Sequence, residues 1–315
     1  MPTNPVPATV RSTPSAWVDA WHLLRPRQWL ILTFQLLVGV ACAADWSAVF
    51  RSGIPWSQAD LALGWFAWVV CLNGGTLAFN SAWDKDTNSV AYLEHPPTPP
   101  SWLAAASSWL MIIGVGAGLF VSSFLGLIVA ACAVLSWAYS HPAIRLKGLP
   151  GADLAVNMVG YGLGTTLAGL TIGRAAVTGS IPGVDLISPI DGGWWLAIGF
   201  GLLFGSFYPM TQIYQMDDDR ERGDRTLTLA LGAQRSLDLA LVLGLLAGGA
   251  LLRAVFLWGG HSVFVVVTVA VWVVLIGSWR RACPRLSNQG HAKRLDWALR
   301  AWALVDVGVL LACLA

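Results

Sequence analysis

Two short polar runs interrupt a chain that is otherwise strongly apolar. Asn80, Asp84 and Asn88 are spaced four residues apart, and Gln215 and Asp219 repeat that interval. Residues four apart share one face of a helix, so on continuous helices each set presents its side-chain oxygens in one direction. Oxygen donors on two helices suit a hard divalent cation such as Mg²⁺, which keeps some water and takes substrate phosphates as further ligands. A diphosphate fits between two such faces. Cationic side chains lie close by in the sequence: Arg25 and Arg27, Arg145 and Lys147, and Arg220, Arg222 and Arg225. Arginine grips phosphate oxygens through paired N–H groups, and lysine acts as a point charge. Either polar run alone could be a solvated helix end. Two runs with one spacing argue for a shared site, because carboxylates at a membrane edge cost free energy that solvation does not explain.

The elements that must position these residues are membrane helices. Only 11% of the 315 residues are charged, 56% are hydrophobic and 18 are tryptophan, whereas a soluble domain carries about a quarter charged residues. A spanning helix needs about 20 mostly apolar residues. Segments 28–44, 61–83, 154–173, 192–216, 235–258, 254–279 and 296–315 each supply one, and the uncharged stretch 95–144 supplies two, with a turn expected near Gly126. The fold class is therefore an all-α polytopic membrane protein, a nine-helix transmembrane bundle over residues 28–315 preceded by a cytoplasmic N-terminal tail, 1–27. The proline-rich first 21 residues lack the continuous apolar core of a secretory signal peptide.

With nine spans the even-numbered helices all end on the side where the chain starts. Fifteen of the 19 Lys and Arg residues fall on that side, and only Arg51, Arg174 and Arg253 fall opposite. By the positive-inside rule the basic face is cytoplasmic, and both polar runs lie there, so the site of an integral multi-pass protein is expected on the cytoplasmic face. A net charge of +2 gives a nucleic-acid backbone little to follow. Four cysteines sit in apolar segments and no disulfide is expected. Cys283 and His291 fall short of a zinc ligand set.

The motifs resemble those of the UbiA superfamily of intramembrane prenyltransferases. Asn80-x-x-x-Asp84-x-x-x-Asn88 is similar to that family's first aspartate-rich motif, Asn-x-x-x-Asp-x-x-x-Asp. Gln215-Met-Asp-Asp-Asp219-Arg-Glu-Arg-Gly223-Asp-Arg-Thr-Leu227 is similar to the second, an Asp-x-x-x-Asp followed by Gly and Thr-Leu. Tyr139-Ser-His-Pro142 with Arg145 and Lys147 resembles the segment after the family's fourth helix, and Arg25-Pro-Arg-Gln-Trp29 its entry to the first. The resemblance covers nearly the whole chain and implies a nine-helix bundle with a lipid-open cavity. It also implies Mg²⁺ bound by Asn80, Asp84 and Asp219, holding an isoprenoid diphosphate. Asn88 and Gln215 depart from the family's aspartates, so the site loses two formal negative charges while keeping two carbonyl oxygens. Asp217 or Asp218 could take over part of that role.

The resulting expectation is Mg²⁺-dependent ionisation of an allylic diphosphate and transfer of the prenyl group to a lipophilic acceptor. Lys147 and Arg145 hold phosphate, and Tyr139, Tyr208 and Tyr214 face the cation, for which an aromatic wall is suited. Interfacial anchoring is an equal explanation for the tyrosines. The altered motifs keep a second reading open, a terpene cyclase that closes the cation on its own chain. A transporter using Asp153, Arg253 and Asp306 is a third, and the gathering of the polar groups at one face argues against it.

Overall fold

The computed structural model describes residues 16–44, 46–53, 56–85, 93, 96–178, 192–221, 223 and 225–314. Among these the regular structure is helical throughout. The principal helices are α1 (Ala16–Leu23), α2 (Pro26–Cys42), α3 (Trp46–Ser52), α4 (Gln58–Asp84), α5 (Leu103–Val121), α6 (Ser123–Ser140), α7 (152–178), α8 (Gly192–Ile213), α9 (Met216–Glu221), α10 (Leu227–Leu231), α11 (Ala233–Leu257), α12 (Ser262–Ala282) and α13 (Asn288–Leu314). Among the described residues seven helices are long and apolar enough to cross a membrane: α4, α5, α6, α8, α11, α12 extended to Arg285, and α13. The other two expected spans are helical as well. However, α2 has 17 residues, and α7 carries a buried polar set of Asp153, Asn157, Thr165, Thr166 and Thr171.

Side chains such as Leu30, Phe120, Phe256 and Val274 are exposed on the outside of the bundle. An apolar exterior is what a bilayer covers. Inside, small residues let backbones approach, as in other membrane bundles. An added Cβ at Gly169 of α7 would lie 2.3 Å from the Leu36 carbonyl oxygen of α2, so only glycine allows this crossing. The α5–α6 turn falls at Ser122, four residues before the expected Gly126. Ser122 is extended and its hydroxyl accepts from the Leu125 N–H, a serine N-cap. Gly126 instead sits inside α6, where it packs against Gly118 and Leu119.

Two helices widen into π-helical segments, Phe66–Gly74 within α4 and Met158–Gly164 within α7. Such segments disturb the regular ladder and often occur at functional sites. Gln35 of α2 answers this in α7, donating to the carbonyls of Tyr161 at 3.0 Å and Gly162 at 3.1 Å. Ahead of the bundle, α1 buries Ala20 and Leu23 against Ala78 and Leu103, and the Trp17 and Trp102 ring centroids are 4.5 Å apart. Residues 1–15 lie outside the described residues.

Candidate active site

The first polar run sits where α4 ends. Asn80 and Asp84 keep their shared helix face, but α4 stops at Asp84 because Lys85 turns into the left-handed region, φ 49°. The expected continuation of one helical face to Asn88 therefore does not occur on α4, and Asn88 itself lies outside the described residues. Lys147 forms an ion pair with Asp84, and its Nζ donates to Asn80 Oδ1 at 3.1 Å. The Ser140 hydroxyl donates to the same oxygen at 2.8 Å. Lys147 comes from a single 3₁₀ turn, Leu146–Gly148, which begins at Arg145 with φ 49°. Arg25, at the start of α2, also has positive φ, 53°. All three non-glycine residues with positive φ among the described residues are thus basic and flank the motif segments. Each such conformation costs on the order of 1–3 kcal/mol, and such strain clusters at active sites and ligand clamps.

The second run occupies the turn between α8 and α9. The Asp219 N–H donates to the Gln215 carbonyl at 2.9 Å, so the four-residue interval survives as one helical hydrogen bond. Asp219 is buried. Gln215 donates to the Tyr214 hydroxyl at 2.7 Å. Arg220 turns outward to Asp217 at 2.9 Å, and Arg225 is exposed. The Asp218 side chain and residues Arg222 and Asp224 lie outside the described set.

What fixes this second segment is Asp153, a residue that only the disfavoured transporter alternative uses in the sequence analysis. Asp153 is fully buried. Its Oδ1 accepts from the Gly151 N–H at 2.9 Å, and its Oδ2 from Gln212 Nε2 and the Leu227 N–H, both at 3.4 Å. Gln212 precedes Gln215 and Leu227 follows Asp219, so one carboxylate ties both ends of the motif segment to α7. The signal was present in the sequence, since Asp153, Asn157 and Tyr161 are themselves spaced by four.

The two runs are connected through α6 and α8. Tyr139, next to Ser140, shares a 3.1 Å hydroxyl–hydroxyl hydrogen bond with Tyr208, which in turn accepts from Gln212 at 3.1 Å. Both runs therefore lie at one end of the bundle.

Beside them a cavity of about 480 Å³ is lined by Arg25, Asn80, Tyr139, Tyr208 and Tyr214 among its polar residues, with Trp68, Phe204 and Trp302 among its apolar ones. Arg25 is buried and donates to the Ser81 hydroxyl at 3.3 Å. Lys147 and Gln215 stand one contact away, through Asn80 and Tyr214. Arg27 and Arg145 are exposed and do not line the cavity. The sequence reading missed Ser140, Asn73, Gln28 and Asp296; the last three also line this cavity.

Among the described residues no three His, Cys, Asp or Glu side chains form a metal-sized group. The donor chemistry nevertheless suits a hard cation. Asn80 Oδ1 and a carboxylate oxygen of Asp84 already converge on one positive centre, the Lys147 ammonium.

Comparison with known proteins agrees with this architecture. The sequence profile described as the UbiA prenyltransferase family matches residues 34–299. A homogentisate phytyltransferase of Synechocystis sp. is 28% identical over 248 residues, 74% of this chain and 76% of that protein. A lycopene elongase/hydratase of Haloarcula japonica is 25% identical over 242 residues, 74% and 73% of the two chains. Among solved structures, a digeranylgeranylglyceryl phosphate synthase superposes with a TM-score of 0.68 at 14% identity, covering 96% of this chain and 99% of that one. A UbiA homolog from Archaeoglobus fulgidus bound to DMAPP and Mg²⁺ superposes with a TM-score of 0.60 at 14% identity, covering 92% and 99%. With a profile match across most of its length and a shared fold over nearly all of it, the chain belongs to the UbiA prenyltransferase family.

Proposed function

We propose that this protein transfers a prenyl group from an isoprenoid diphosphate to a lipophilic acceptor within the membrane. The observation that carries this reading is the cavity. Its aromatic walls suit an isoprenoid tail, while Arg25 and Asn80, the latter held by Lys147, suit the diphosphate. Asn80, Asp84 and Asp219 would hold Mg²⁺, with Asn88, Gln215 and Asp218 contributing neutral or additional oxygens. When bound, Mg²⁺ supplies charge neutralisation on the departing diphosphate, as the ion bound with DMAPP in the Archaeoglobus homolog suggests.

The chain's own groups account for the rest. Arg25 and Lys147 bind phosphate oxygens, with Arg145, Arg27, Arg220 and Arg225 adding positive potential around the entrance. Tyr139, Tyr208 and Tyr214 border the cavity, where their ring faces stabilise positive charge and the surrounding apolar side chains exclude water. Electrostatic stabilisation of the leaving group lowers the barrier to breaking the allylic C–O bond. The prenyl carbon then bonds to the acceptor, which releases a proton.

The bundle makes nine crossings in this reading, with α2 and α7 joining the seven apolar spans. The basic loops set the site on the cytoplasmic side. Residues 1–27 form the cytoplasmic extension of the domain 28–315, and Arg25 reaches from it into the cavity. The test is incubation of the purified protein in nanodiscs with a prenyl diphosphate, Mg²⁺ and homogentisate or lycopene. Prenylated acceptor and free diphosphate are expected, and chelation with EDTA abolishes both. A cyclic hydrocarbon formed without acceptor contradicts the transfer reading.

A further inference from the structure

Asn73 lies in the π-helical segment of α4, seven residues before Asn80 on the same side of the helix. It lines the cavity and is 5% exposed. Both polar atoms of its carboxamide, Nδ2 and Oδ1, are buried without a hydrogen-bond partner. Such a group is costly in a membrane helix, where the usual remedy is a bond to a neighbouring helix. A third such atom, Gln28 Oε1 from α2, belongs to another residue lining the same cavity. Every other asparagine side chain that lines it is engaged: Asn80 accepts from Ser140 and Lys147, and Asn157 donates to the Asp153 carbonyl.

Asn73 is also misplaced for the diphosphate. At about 1.5 Å per residue it lies roughly 10 Å along the helix from Asn80, away from Asp84. The cavity that it lines also contains the indole of Trp68, engaged with Thr165 at 3.2 Å, and the stacked pair Tyr161–Phe204. An isoprenoid tail offers nothing to a carboxamide. A hydroxyl offers both what Nδ2 and what Oδ1 require, since it accepts and donates.

We propose that Asn73 is a binding residue for the acceptor and that it selects an acceptor bearing a hydroxyl group over a pure hydrocarbon. This rests on the transfer reading above. On this account the unpaired carboxamide is kept at a cost in stability because it is satisfied only when the acceptor is bound.

The experiment uses the full-length protein in nanodiscs with Mg²⁺ and a prenyl diphosphate, comparing wild type with Asn73→Leu. The probes are homogentisate, a naphthoquinol and lycopene, and release of diphosphate is followed in parallel. The expected result is turnover of a hydroxylated probe by the wild type, with a KM for that probe about tenfold or more higher in Asn73→Leu. The KM for the prenyl diphosphate and kcat at saturating acceptor stay within about twofold. Without substrates, Asn73→Leu melts at or above the wild-type temperature, whereas a residue with a structural role would lower it. An unchanged acceptor KM, transfer to lycopene alone, or diphosphate release with no transfer to any hydroxylated probe overturns the proposal while leaving ionisation intact. Absence of diphosphate release from the wild type instead overturns the transfer reading on which it rests.

Discussion

Replacing Asp153 tests how the second polar run is held in place. In Asp153→Ala three donors lose their acceptor: the Gly151 N–H, the Leu227 N–H and Gln212 Nε2, the last of which keeps its bond to Tyr208. The bond from Gly151, at 2.9 Å to a buried carboxylate, is worth about 1.5–3 kcal/mol. The two at 3.4 Å are long for N–H···O geometry and count for about 0.5–1 kcal/mol each. The sum is about 2.5–5 kcal/mol. Asp153→Asn keeps the bond from Gly151 through its oxygen but turns an amide toward both the Leu227 N–H and Gln212 Nε2, donor against donor, a loss of about 1–2 kcal/mol. At about 2 °C per kcal/mol or more, the midpoint of tryptophan-monitored unfolding in detergent should fall by roughly 5 °C or more for Ala and roughly 2–4 °C for Asn. Proteolysis between residues 213 and 227 should accelerate in the same order, and turnover should fall in that order too. A Tm and a cleavage rate equal to wild type in Asp153→Ala would refute the clamp.

Three further outcomes follow from the same geometry. Lys147→Met leaves the Asp84 carboxylate without its ion pair and removes a phosphate contact. The KM for prenyl diphosphate should rise by about 10–100-fold, equivalent to about 1.4–2.8 kcal/mol, and steady-state kinetics at saturating Mg²⁺ reads it. Gln215→Asp restores a negative charge to the second motif, so the Mg²⁺ concentration giving half-maximal activity should fall, measured by titration from chelated enzyme. Gly169→Val drives a side chain into the Leu36 carbonyl, where a Cβ already meets oxygen at 2.3 Å. It should separate α2 from α7, lowering Tm by several degrees and with it activity.

Much of this architecture was legible because hydrophobic runs declare spanning helices. The four-residue intervals at Asn80 and Gln215 and the nearby Lys147 were readable for a similar reason, since helical periodicity is a property of the sequence. Three classes of feature were not. Backbone geometry at single residues decided where helices stop: left-handed Lys85 ends α4 before Asn88, and the Ser122 cap, not Gly126, makes the α5–α6 turn. The π-helical segments have no compositional signature, so Asn73 read as one more polar residue in an apolar run. Finally, basic residues near a motif are not sorted by sequence into those facing inward and those facing out. Arg25 enters the cavity, while Arg220 pairs with Asp217 on the surface and Arg27 and Arg145 are exposed. The spacing of Asp153 with Asn157 and Tyr161 was legible, but its clamping role was not, because its partners Gln212 and Leu227 lie 59 and 74 residues away.

The central claim is that the ends of α4 and α8–α9 jointly hold a magnesium–diphosphate group. It is tested most directly by equilibrium binding of a non-ionisable thiolo-diphosphate analogue to protein in nanodiscs, with and without Mg²⁺. The account predicts Mg²⁺-dependent binding that weakens by about 100-fold or more in both Asp84→Ala and Asp219→Ala, with each variant still folded and inserted. Wild-type affinity in either variant, or binding indifferent to Mg²⁺, would contradict it.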